Sequence, residues 1–183
     1  MKKQFLLLFI IIFFTFGFNS NAQWVKTNGP TDSNISCFTI SGTNLFAGSL
    51  GGIVFLSTNN GTSWKATSAG LTHTEVRALA VIGTNLFAGT VGGGVCLSTI
   101  NGTSWTTVNS GLTNTNVRAL AVIGTNLFAG TYGGGVFLST NNGTSWTTVN
   151  SGLTNKDIQA LGVMGTNLFA GTKNGVFLST NSG

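Results

Sequence analysis

Gly124-Thr-Asn-Leu-Phe-Ala-Gly130 is one of four copies of the same seven residues, which begin at Gly42, Gly83, Gly124 and Gly165, 41 residues apart each time. Trp24, Trp64, Trp105 and Trp146 keep step at spacings of 40, 41 and 41. A fixed period of this length means that one supersecondary unit is copied and stacked on itself. In the third copy, Val117-Arg-Ala-Leu-Ala-Val-Ile123, Asn126-Leu-Phe-Ala-Gly130, Gly135-Val-Phe-Leu-Ser139 and Trp146-Thr-Thr-Val149 are short runs suited to strands, punctuated by Gly, Asn and Ser. None is long enough for a helix of ten or more residues, so each copy is expected to form four strands. The first run is apolar on both alternating faces apart from its arginine, as in a strand covered on both sides by other sheets.

Four-stranded units repeating at about 41 residues fit the blades of an all-β propeller, in which stacked antiparallel blades bury each other's faces. An open β-solenoid is the alternative, and it is disfavoured because solenoid coils repeat at shorter periods. The domain reading is a signal peptide over residues 1–22 and propeller repeats over 23–183, four blades with the last incomplete unless the N-terminal strand closes it. Two readings of the ends stay open. Gln23-Trp24 could complete the last blade and close four blades, or the chain is a truncated form of a six- to eight-bladed protein, the favoured reading because four is the low limit for propellers.

Ser57-Thr-Asn-Asn-Gly-Thr-Ser-Trp64, Ser98-Thr-Ile-Asn-Gly-Thr-Ser-Trp105 and Ser139-Thr-Asn-Asn-Gly-Thr-Ser-Trp146 form a second periodic motif, and a fourth copy starts at Ser179. The motif resembles the Asp-box of the bacterial neuraminidase repeat, S-x-D-x-G-x-S/T-W. The resemblance implies a sialidase-like propeller fold and a structural role for Ser57, Asn59, Gly61, Trp64, Ser98, Gly102, Trp105, Ser139, Asn141, Gly143 and Trp146. Asn59, Asn141 and Asn181 stand in the Asp position, where an amide oxygen can still accept a backbone N–H across the turn; Ile100 in the second copy cannot. A looser resemblance links Gly111-Leu-Thr-Asn-Thr-Asn-Val-Arg-Ala-Leu and the following Asn126–Gly135 run to the regulator propeller repeats of carbohydrate-responsive two-component receptors.

Met1-Lys2-Lys3, an apolar run from Phe5 to Phe18 and small residues before a cut after Ala22 have the layout of a secretory signal, which implies an exported, cell-surface or periplasmic protein with no membrane span after signal removal. Charged residues make up 6% of the chain while Gly numbers 27 among 183, which excludes a coiled coil or a charge-driven disordered chain. After residue 22 no two basic residues are adjacent, which argues against nucleic-acid binding. Cys37 replaces the Ala of later repeats and Cys96 replaces a Phe, so both are expected as buried free thiols.

In an antiparallel blade the loops joining strand four to strand one and strand two to strand three share a face. Asp32, Glu75, Arg77, Arg118, Lys156, Asp157 and Lys173 fall on those loops or at the start of the inner strand. Positions identical in all copies specify scaffold, so a binding site must use those that vary. Arg77, Arg118, Gln159, Tyr132, Lys173 and His73 are therefore the candidate ligand-binding residues, with Arg77 and Arg118 able to clamp a carboxylate or sulfate or, more plainly, to pair with Glu75 and Asp157. One His, two separated Cys and scattered acids point to no catalytic triad, no metal and no cofactor. The expected function is a non-catalytic exported scaffold for a glycan, peptide or protein ligand. A fragment of a sialidase-like or other Asp-box glycoside hydrolase is the alternative, although three acids in three repeats do not suggest a converging carboxylate pair.

Overall fold

The computed structural model describes residues 23–31, 33–72 and 75–183, so the expected signal peptide, Asp32 and His73 lie outside the described residues. Every element among the described residues is a strand. The first sheet holds β1 (Ile35–Ser41), β2 (Asn44–Ser49), β3 (Val54–Ser57) and β4 (Lys65–Ala66), and the second holds β5 (Val76–Ile82), β6 (Asn85–Thr90), β7 (Gly94–Ser98) and β8 (Thr106–Thr107). The third holds β9 (Val117–Ile123), β10 (Asn126–Thr131), β11 (Gly135–Ser139) and β12 (Thr147–Thr148), and the fourth has three strands, β13 (Ile158–Met164), β14 (Asn167–Thr172) and β15 (Gly175–Ser179). Each sheet is an antiparallel meander in chain order. The β1–β2, β5–β6 and β13–β14 hairpins carry the same register shift, and so does β9–β10.

The sheets stand side by side, with β1 against β5, β5 against β9 and β9 against β13. Each of the three junctions has its own apolar core. Phe46 and Val54 meet Val76, Leu86 and Trp105 at the first; Phe87 and Val95 meet Val117, Leu127 and Trp146 at the second; Phe128 and Val136 meet Ile158 and Leu168 at the third. Phe46, Phe87 and Phe128 are fully buried, each worth about 1.5–3 kcal/mol of transfer free energy.

What lets the sheets approach is the closing glycine of the seven-residue repeat. A Cβ on Gly48 would lie 2.6 Å from Val76 Cγ1, one on Gly89 2.6 Å from Val117 Cγ1, and one on Gly130 2.5 Å from Ile158 Cγ2. A β-branched residue of each inner strand thus seats on a bare stretch of the sheet before it. The row's two ends lack such cover. Val176 is 72% exposed where its equivalents Val54, Val95 and Val136 are 0–3%, and Phe38 is 60% exposed where Leu79 is 8%.

The periodic Ser-Trp motif forms the turn that leaves each third strand. In the first copy Ser57 Oγ accepts from Gly61 N at 2.9 Å and Asn59 Oδ1 accepts from Ser63 N at 2.9 Å; Ser139, Gly143, Asn141 and Ser145 repeat this in the third. Asn60 and Gly61 both take positive φ, as do Asn142 and Gly143, which explains the Asn-Gly pair. In the second copy Ser98 Oγ still accepts from Gly102 N at 2.9 Å, but exposed Ile100 supplies no oxygen for Ser104.

The tryptophans do more than anchor their own sheet. Trp105 Nε1 donates to Thr67 O at 2.8 Å and Trp146 Nε1 to Val108 O at 2.7 Å, both carbonyls of the preceding sheet's outer strand region. Trp64 Nε1 donates instead to Gly61 O of its own turn, at 3.1 Å, and is half-buried. Residues 23–31 form no strand and Trp24 is fully exposed, so the N-terminal segment does not complete the fourth sheet. Cys37 and Cys96 are free thiols; burial pushes the Cys96 thiol up to about 11, whereas Cys37 is only half-buried, beside Ser36 and Gly48.

Trp146→Ala is expected to lower unfolding free energy by about 3–5 kcal/mol in chemical denaturation, the loss typical of a buried aromatic, and Trp64→Ala to cost clearly less. Ile100→Asn, which restores the missing amide oxygen at an exposed position, is expected to raise stability by about 0.5–1.5 kcal/mol in the same assay.

Candidate functional site

The variable residues meet on one face because of how the loops lock together. Tyr132 follows β10, and its N–H donates to Asn116 O at 2.9 Å, in the loop ahead of β9. Gly133 N and Gly135 N both donate to Lys156 O, at 3.1 and 3.0 Å, in the loop ahead of β13. The loop between the second and third strands of the third sheet is therefore clamped between two loops that enter inner strands. Asn114 Nδ2 adds a bond to Tyr132 O at 3.0 Å, while Asn114 Oδ1 accepts from Asn116 N and Asn155 Oδ1 from Asp157 N, two Asx turns that hold the loop tips.

On that platform sit four of the candidate residues. Arg118, the second residue of β9, lays its guanidinium over the Tyr132 ring with Cζ 4.1 Å from the centroid. Lys173, in the β14–β15 turn, brings Nζ to 5.8 Å from the same centroid. Arg118 Nη1 donates to Gln159 Oε1 at 2.8 Å, across the junction to β13. Equivalent inner-strand positions one period apart are spatial neighbours, which is why residues 118 and 159 touch. Tyr132, Gln159 and Lys173 are exposed and Arg118 is half-buried. Arg118 Nε and Asn116 Oδ1 are buried atoms with no hydrogen-bond partner.

Chemically this is a cationic platform with an aromatic base. Stacking on Tyr132 fixes the plane of the guanidinium at a cost that the cation–π attraction offsets by about 0.5–1 kcal/mol at an exposed site. A planar, pre-oriented fork suits a carboxylate or sulfate oxygen pair, and Lys173 contributes a second positive charge beside the same ring.

Arg77 is not part of this group. It forms an ion pair with Glu75, Nη2 to Oε2 at 2.7 Å and Nε to the same oxygen at 2.8 Å, on the second sheet. Half-exposed as it is, such a pair contributes about 1 kcal/mol or less. Arg118 takes Tyr132 and Gln159 as partners rather than Asp157, whose backbone instead bridges Tyr132. His73 lies outside the described residues. Among the described residues no group of three or more His, Cys, Asp or Glu side chains converges to hold a metal ion, and no helix is long and apolar enough to cross a membrane. Asn114, Asn116 and Asn155, which stand at positions that vary between repeats, shape the platform; their Asn-x-Asn and Asn-x-Asp spacing is the signal for Asx turns.

No protein-family model and no curated protein matches the chain. Among solved structures, an ancestral GH74 enzyme is similar over 82% of this chain and 23% of its own, at 25% identity and a TM-score of 0.70. The extracellular domain of a putative one-component system from B. thetaiotaomicron is similar over 84% of this chain and 21% of its own, at 23% identity and a TM-score of 0.66. YCF48 bound to D1 peptide is similar over 79% of this chain and 50% of its own, at 15% identity and a TM-score of 0.65. The chain thus spans about a fifth to a half of each of these proteins. They establish the fold as propeller-like, and they include an enzyme, an extracellular domain and a peptide-bound protein.

Proposed function

We propose that the chain is an exported, non-catalytic binding scaffold built from Asp-box propeller blades, whose ligand seats on the face formed by the loops between strands four and one and strands two and three. The observation that carries this reading is the stacked guanidinium of Arg118 on Tyr132, braced by Gln159 and flanked by Lys173. The ligand class is a glycan or peptide bearing a carboxylate or sulfate, with its apolar or ring portion on Tyr132 and its anion between Arg118 and Lys173. The blade cores repeat almost unchanged while this one face varies, which suits a scaffold with specificity in a few loop side chains. The likeness to an extracellular domain and to a peptide-bound protein supports a binding role outside the cytoplasm.

A second reading, a part of an Asp-box glycoside hydrolase, is favoured by the likeness to a GH74 enzyme. Against it, Glu75 is held by Arg77 ahead of the second sheet, and Asp157 lies in the loop ahead of the fourth.

Arrays of sulfated, sialylated and uronate-bearing glycans together with acidic peptides test the proposal. The unaltered protein is expected to retain an anionic member, and Arg118→Ala and Tyr132→Ala are each expected to weaken that binding at least about tenfold, about 1.4 kcal/mol, with an unchanged thermal midpoint. Binding that survives both substitutions contradicts the site, and turnover of a fluorogenic glycoside contradicts the non-catalytic reading.

A further inference from the structure

We infer that Asn101 is a site of spontaneous deamidation, set apart from its counterparts Asn60 and Asn142 because the turn that holds it lacks the amide brace of the other two. Asn60-Gly61, Asn101-Gly102 and Asn142-Gly143 stand 41 residues apart, each followed by Thr-Ser-Trp. All three asparagines are exposed. A glycine carries no side chain to hinder its own amide nitrogen, so an asparagine followed by glycine is the pair in which that nitrogen reaches the preceding side-chain carbonyl most easily. The Asn-Gly pairs at Asn28 and Asn174 lie outside these turns.

Water is the co-reactant. Gly102 N attacks Asn101 Cγ, the Cγ–Nδ2 bond breaks, and the proton lost by Gly102 N passes through solvent to the departing nitrogen, which leaves as ammonia. The product is a succinimide ring. Water then adds to one of its two carbonyl carbons. Addition at Cγ opens the ring to aspartate, and addition at the main-chain carbonyl opens it to isoaspartate, in which the chain runs through Cβ and Cγ. Either way an amide and a water become a carboxylic acid and ammonia, with no change of oxidation state.

The closed turn withholds the nucleophile. Gly61, Gly102 and Gly143 are buried, and their N–H groups donate to Ser57, Ser98 and Ser139 Oγ at 2.9, 2.9 and 2.8 Å. The backbones of the three turns match, with φ of 54°, 52° and 56° at the asparagines and a bond of 3.1 Å from Thr62, Thr103 and Thr144 N to the carbonyl three residues back. Reaction therefore proceeds when a turn opens locally, and how often it opens depends on the bonds that close it. In the first turn Asn59 Oδ1 accepts from Ser63 N and its Nδ2 donates to Ser63 Oγ, both at 2.9 Å, and Asn141 makes the same two bonds to Ser145 in the third. Ile100 can make neither, so the second turn closes on two fewer hydrogen bonds.

The product does not fit where the asparagine was. Gly102 lies against the first sheet, where an added Cβ would be 2.7 Å from Thr67 Oγ1 and 3.4 Å from Thr67 O. Isoaspartate inserts a methylene into the main chain directly before this glycine, which moves Gly102 N off Ser98 Oγ and presses the turn on Thr67. Thr67 O is also the acceptor of the Trp105 indole bond. Deamidation at Asn101 thus loosens the junction between the first and second blades at its outer rim, in a close-packed region with no slack to absorb an extra atom.

Peptide mapping by mass spectrometry tests the inference. The full chain is incubated in mildly alkaline buffer, folded and in denaturant, and the conversion of Asn60, Asn101 and Asn142 to aspartate and isoaspartate is followed with time. Dividing each folded rate by its rate in denaturant removes the intrinsic effect of the neighbouring residue. The expected result is a normalised rate at Asn101 at least about fivefold above those at Asn60 and Asn142, the factor that two modest hydrogen bonds supply. Ile100→Asn is expected to bring Asn101 down to the rate of the other two, and Asn141→Ile to raise Asn142 to that of Asn101, both with an unchanged circular dichroism spectrum. Chains carrying isoaspartate at 101, separated by ion exchange, are expected to melt below intact chains. Equal normalised rates in the three turns, or rates at Asn101 and Asn142 that ignore both substitutions, overturn the inference, and equal melting temperatures overturn its structural consequence.

Discussion

A branched side chain on a bare glycine is the contact on which the rest depends. Val76 on Gly48, Val117 on Gly89 and Ile158 on Gly130 bring successive inner strands close enough for the phenylalanines of the second strands to be sealed between sheets. A two-faced sheet of three or four short strands has too little apolar surface of its own to fold alone. Its stability comes from neighbours, and the neighbours can approach only where the side chain is missing. The indole bonds from Trp105 to Thr67 O and from Trp146 to Val108 O secure the first two of these junctions at their outer rim, where inner and outer edges are tied by different chemistry.

This division of labour frees one face. With packing carried by the first three strands and the outer rim by the tryptophan turns, the loops entering the inner strands are held by backbone hydrogen bonds to their neighbours and by Asx turns, which leaves their side chains free to vary. They carry most of the charge, and in the third and fourth blades they gather Arg118, Tyr132, Gln159 and Lys173 into one group. On the second blade the equivalent arginine, Arg77, is occupied by Glu75. Identical scaffold positions thus present a paired charge on one blade and a stacked, partly unused one on the next, and symmetry is broken by single residues such as Tyr132 against Val91.

Much of the fold was legible in the residues because the period repeats the same signals four times. The strand runs and the Asn-Gly turns follow from local chemistry that tertiary structure has no reason to override. What the sequence did not show was reach across a junction. Trp146 sits in the third repeat, yet its indole bonds the second, and no spacing reveals which neighbour a side chain will choose. Arg118 and Gln159 stand one period apart, but that such residues touch is a property of inner strands packed side by side. For the same reason Asp157, close in sequence terms to the right loop, proved not to be the partner of Arg118: its backbone, not its carboxylate, is what meets Tyr132.

The packing rule itself can be read directly from methyl nuclear Overhauser contacts in the folded protein. The account predicts strong cross-peaks from the methyls of Val76, Val117 and Ile158 to the α-protons of Gly48, Gly89 and Gly130 in turn. Their absence, or contacts from those methyls to residues of their own sheet alone, would contradict it.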